Sequence, residues 1–99
     1  MPVPTATRLT SRKHAVVRRC REAAAGDDPD VVLLDGAHLL TEALDAGVPI
    51  ALVLTDGREK ALTARARASG AAVYEGTAGV IEAARPVHSP SGVVALAQR

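Results

Sequence analysis

The pattern that most narrows the fold of this chain is a short apolar run, closed by an acid and a glycine and followed by a helical repeat. Its clearest copy lies at 31 to 47, VVLLDGAHLLTEALDAG. Val31, Val32, Leu33 and Leu34 form a run too short for a helix, which suits a strand buried on both faces. Asp35-Gly36 breaks the run. From Ala37 onward, at about 100° per residue, Leu39, Leu40, Ala43, Leu44, Ala46 and Gly47 fall on one side. His38, Thr41, Glu42 and Asp45 fall on the other, so the stretch is an amphipathic helix that packs back on its strand.

The scheme then repeats. Ile50 to Leu54 is a second buried strand ended at Asp56-Gly57. A helix over 58 to 69 follows, with Leu62 and Ala66 inward and Gly70 as its stop. Residues 72 to 74 form a short strand before Glu75-Gly76. Thr77 caps a helix through Ala84 with Val80 and Ile81 inward. The segment PVHSPSG reads as a rigid loop, and VVALA from 93 to 97 as the closing strand. Upstream, Thr10 or Ser11 caps a helix running to about Ala25 and stopped by Gly26. Residues 1 to 9, with Pro2 and Pro4, read as a flexible lead-in. The order α-βα-βα-βα-β predicts an α/β protein: a three-layer α/β/α sandwich with a four-stranded, mainly parallel or mixed sheet and right-handed crossovers. In such sheets, sites gather where strand ends meet helix starts, here Asp35-Gly36, Asp56-Gly57 and Glu75-Gly76.

Composition excludes several functions. Ninety-nine residues make one domain. Tyr74 is the only aromatic residue, so recognition by stacking bases on an aromatic platform is not available. No apolar run approaches the roughly 20 residues of a membrane span, and no signal-peptide pattern opens the chain, which reads as cytoplasmic. Cys20 stands alone, and the scattered His14, His38 and His88 do not resemble a metal site. There is no G-x-G-x-x-G, no phosphate-binding G-x-x-x-x-G-K-[ST] and no nucleophile elbow, so catalysis by this chain alone has no warrant.

The charge is unevenly placed. Residues 1 to 25 hold six basic residues against one acid, while the whole chain carries only +1. On the first helix Val16, Val17, Cys20, Ala23 and Ala24 share a face with Leu9, and Arg8, Arg12, Arg18 and Arg19 gather opposite. This stripe has two readings, a solvated face and a surface for phosphates. Asp35 reads as the N-cap of its helix, accepting the amide of His38. Gly36 lets a phosphate approach the free amides there. His38, on the polar face of the first turn, is a candidate donor to RNA. His88 is either plain surface or part of a ligand-facing loop, and Gly92 reads as a positive-φ turn or a place of ligand approach.

Three pieces in this order, TSRKHAVVRR, VVLLDGAHLLTEALDAGVPI and HSPSGVVALAQR, closely resemble the N-terminal substrate-binding domain of the SpoU (TrmH) family of RNA 2′-O-ribose methyltransferases. The resemblance runs from about Thr10 to Arg99. The family's Glu-Gly before the helix reads Asp35-Gly36 here, and its Pro-Gln-Gly turn reads Pro90-Ser91-Gly92, which deletes an amide able to pair with RNA. The resemblance implies a sandwich like that of large-subunit ribosomal proteins that bind kink-turn RNA. It implies a partner in structured RNA, ribosomal or transfer, and neither DNA nor a membrane. It further implies that residues 10 to 99 are a non-catalytic substrate-binding domain. S-adenosylmethionine, the catalytic residues and the homodimer contact would belong to a following knotted domain whose motifs do not occur here. On this reading Arg12, Lys13, Arg18 and Arg19 contact phosphates, and Gly36, His38, His88, Ser91 and Gly92 shape a second RNA surface. A free-standing RNA-binding protein of the same fold and a protein-interaction module are the competing readings.

Overall fold

The apolar runs form strands and the amphipathic stretches form helices. A computed structural model describes residues 7–9, 11, 14–85 and 91–98. The elements are β1 (Thr7–Leu9), α1 (Ala15–Ala24), β2 (Val31–Asp35), α2 (Ala37–Asp45), β3 (Ile50–Thr55), α3 (Lys60–Ala68), β4 (Ala72–Gly76), α4 (Ala78–Ala84) and β5 (Val93–Gln98). The four expected strands are all present in one mixed sheet, ordered β1-β4-β3-β5-β2. β1, β4 and β3 run parallel, and β5 runs antiparallel to both β3 and β2. Among the described residues, no helix is long and apolar enough to cross a membrane.

The sheet gains a fifth strand from residues assigned to the flexible lead-in. Thr7 to Leu9 pair in parallel with Tyr74 to Gly76. The physical reason is a single anchor: Leu9 is buried in the core, and its carbonyl accepts the Thr77 amide at 3.3 Å. Three residues with one buried side chain leave no periodicity to read. The first helix also starts later than the sequence suggests. α1 begins at Ala15, with the Nδ1 of His14 accepting the Val16 amide at 3.1 Å, so an imidazole caps the helix in place of a hydroxyl.

Helices cover both faces, as expected. On one, α1 and α4 lay Val16, Val17, Cys20, Ala23, Val80, Ile81 and Ala84 against Leu52, Leu54, Val94 and Leu96. On the other, α2 and α3 lay Leu40 and Ala66 against Val53, Val73, Val93 and Ala95. β5 contributes to both cores, which is why VVALA lacks any polar alternation. Burial pushes the Cys20 thiol up from 9.0 to about 11, the charge of Arg19 offsetting this only in part. The thiolate fraction at pH 8 is then about a hundredfold lower than for an ordinary thiol. Iodoacetamide should therefore label Cys20 only in denaturant, and prompt labelling of the native protein would refute this packing.

Candidate nucleic-acid interface

β2, β3 and β4 end at the edge of the sheet where β5 begins, because Asp35 pairs with Val94 and Thr55 pairs with both Val93 and Glu75. The three acid-glycine turns therefore lie at the end of the sheet where Ser91-Gly92 enters β5, and two of them, Asp35-Gly36 and Asp56-Gly57, contact that entry. Gly36 is the N-cap of α2 at φ 121°, ψ 157°, a conformation open to glycine and strained for other residues. Its amide donates to the Val93 carbonyl at 3.1 Å. Asp35 does not cap α2. The cap arrives from 54 residues away, where the Ser91 hydroxyl oxygen accepts the Ala37 amide at 3.2 Å. Ser91 thus replaces reach with closure: its oxygen stitches the start of β5 to the start of α2.

Asp35 is engaged elsewhere. Its Oδ1 lies 3.3 Å from Nη2 of Arg85, whose side chain is 2% exposed. Arg85 follows α4, and its Nη2 donates to the carbonyls of Ser91 and, at 3.4 Å, Val93. One buried guanidinium therefore ties the end of α4, the start of β5 and the end of β2. Sequence reasoning passed over Arg85, although a signal existed. It stands four residues after Ile81, on the buried face of the helical projection.

Gly92 is not a positive-φ glycine. Its lack of a side chain serves close approach instead, since a Cβ there would overlap the Asp56 carboxylate. The Asp56 amide donates to the Gly92 carbonyl at 2.8 Å, and its carboxylate accepts the Arg58 amide and Nε at 3.1 and 2.7 Å. This turn is packed by the protein's own acid, which leaves little space for a ligand at Gly92 itself.

The structure joins some of the sequence-predicted residues and separates others. Gly36, Ser91 and Gly92 meet at the sheet edge. His38 sits beside them on the first turn of α2, its side chain 84% exposed and 3.1 Å from Glu42. Arg18 and Arg19 are exposed on α1, in the layer across the sheet from α2, and Arg19 lies 4.0 Å from Asp28. The basic stripe and the Gly36 turn are thus two separate surfaces. Arg12, Lys13 and His88 lie outside the described residues.

No protein-family model and no curated protein matches the chain. Solved structures do. An rRNA methyltransferase from Sinorhizobium meliloti superposes with a TM-score of 0.80 at 23% identity, over 97% of this chain and 38% of that one. Its AdoMet-bound form gives 0.78 at the same identity and coverage. An RNA 2′-O ribose methyltransferase gives 0.69 at 25% identity, over 93% of this chain and 37% of that one. The chain thus spans less than two-fifths of the length of these enzymes. This chain has a fold that RNA methyltransferases contain, as its resemblance to that family implies.

Proposed function

We propose that this chain is the RNA-binding, substrate-recognition domain of a SpoU (TrmH)-type RNA 2′-O-ribose methyltransferase. It captures structured RNA, ribosomal or transfer, for a separate knotted domain that holds S-adenosylmethionine, supplies the catalytic residues and forms the homodimer. The observation that carries this reading is the superposition of nearly the whole chain on a minor part of RNA-modifying enzymes, which matches a domain that works beside a catalytic one.

The surfaces agree with that role. With Tyr74 as the only aromatic residue, recognition rests on RNA shape and backbone. Arg18 and Arg19, joined by Arg12 and Lys13 just before α1, attract phosphates, and the attraction weakens with salt. The exposed His38 and the Gly36 turn with Ser91 form a second contact surface, which Gly92 shapes by making room for Asp56 and which His88 precedes in sequence.

The test is binding of fluorescent ribosomal RNA fragments and transfer RNA across a salt series, with an Arg18→Ala/Arg19→Ala variant in parallel. The variant should bind several-fold more weakly to every RNA. Its slope of log K against log salt should be shallower by about 1.5 to 2, as two lost phosphate contacts require. Unchanged affinity and slope would remove α1 from the interface. No binding by the parent even at low salt would favour an interaction module without an RNA role.

A further inference from the structure

The cations of the α3 region fall into two groups. Arg58 pairs with Asp56 at 2.7 Å and Arg65 with Asp45 at 2.6 Å. Lys60 and Arg67 have no acidic partner among the described residues. Both line a cavity of about 220 Å³ between α3 and the C-terminal ends of β3 and β4, with Thr55, Gly57, Thr63 and Glu75 in its wall. Lys60, Thr63 and Arg67 are spaced i, i+3, i+7 and so form one stripe down the helix. The Thr63 hydroxyl is buried with no hydrogen-bond partner among the described residues, a cost that a ligand would remove.

Two cations and a buried hydroxyl would suit a bare anion, but Glu75 would repel one. The wall therefore fits an anion that also carries hydroxyl donors. A carboxylate offers about four lone-pair sites, so Glu75 can accept from a ligand while keeping contacts within the protein. The cavity is larger than one phosphate needs and below the roughly 300 Å³ at which drug-sized sites begin. It is also distinct from the Gly36–Ser91 turn, which lies across β5 between β2 and the α4 end.

We propose that this cavity is a sugar-phosphate site. Lys60 and Arg67 hold the phosphate, the Thr63 hydroxyl donates to one of its oxygens, and Glu75 accepts from a hydroxyl of the attached pentose. The phosphate can come from a free nucleotide or sugar phosphate, or from the 5′ end of an RNA. The site stands whether or not the chain serves a methyltransferase.

Amide chemical shifts of the ¹⁵N-labelled protein, titrated with ribose 5-phosphate, ribose and inorganic phosphate, provide the test. Ribose 5-phosphate should shift Gly57, Lys60, Thr63 and Glu75 saturably and bind at least tenfold more tightly than ribose or phosphate alone. Arg67→Ala should weaken it tenfold or more. Thr63→Val, nearly the same shape, should weaken it several-fold while the melting temperature holds or rises. Glu75→Gln should tighten inorganic phosphate and loosen ribose 5-phosphate, a crossing of preferences that general loss of structure would not produce. Shifts that fail to saturate, or that persist in Arg67→Ala, would overturn the proposal. Adding a short RNA with and without a 5′-phosphate separates the sources. Displacement of ribose 5-phosphate by the phosphorylated RNA alone assigns the site to RNA ends, and failure of both RNAs to displace it assigns the site to a free sugar phosphate.

Discussion

Replacing Arg85 with Met lowers the stability of the protein by about 3 to 5 kcal/mol, the usual consequence of removing one partner of a buried ion pair. The size follows from what is left behind. Asp35 keeps both carboxylate oxygens buried with no hydrogen-bond partner among the described residues, and Arg85 is the cation beside it. The carbonyls of Ser91 and Val93 lose the same donor. Urea unfolding gives the measurement, and the second substitution gives the discrimination. Asp35→Asn removes the stranded charge, so Arg85→Met/Asp35→Asn should recover a large part of the loss, with a coupling of about 1 to 3 kcal/mol. Strict additivity of the two changes would show that Asp35 and Arg85 do not act on each other.

Leu40→Ala should cost about 3 kcal/mol, within the range for deleting a fully enclosed leucine. Leu40 is 0% exposed and is the only fully buried side chain among the residues of α2. Its neighbours Leu39 and Leu44 are exposed and half-buried, so no other residue holds the helix as firmly. The effect should be local before it is global. Amide hydrogen exchange across Ala37–Asp45 should accelerate more than across α1, and the Gly36 turn should lose its definition. RNA affinity should then fall more than the exposed His38 alone would explain. A cost below about 1 kcal/mol would mean that α2 is held by its capping contacts with Ser91 and not by its packing.

Much of this fold could be read from local pattern because each element announces itself over a few residues. The runs at 31, 50, 72 and 93 became strands that outlast their predicted ends by one or two residues. Thr77 caps α4 through the Val80 amide at 3.3 Å, as its position implied. What could not be read depends on contacts distant in sequence. That β5 enters antiparallel between β3 and β2 is decided by pairing, and VVALA carries no directional mark. The cap of α2 went to Ser91 and not Asp35 because Arg85 draws the aspartate away, a competition visible only once residues 35, 85 and 91 are adjacent. Gly92 was read as a turn residue when its role is to make room for Asp56, which is a property of the neighbour. Away from the candidate interface, the cavity under α3 is not legible in the sequence, because Lys60 and Arg67 look like ordinary surface charge until the nearby acids Asp56 and Asp45 are found paired with Arg58 and Arg65.

The place of β5 in the sheet bears on how the protein is made. The strand that leaves the ribosome last of the five is also the one that joins the others, since β2 meets the rest of the sheet only through it. Until residues 93 to 98 clear the exit tunnel, β2 has no partner and β3 has one open side. The earlier elements must therefore wait as separate pieces, with apolar runs uncovered. Closure of the sheet is timed by residues 93 to 98, and a nascent chain stalled before Val93 would present the unpaired edges of β2 and β3 to chaperones.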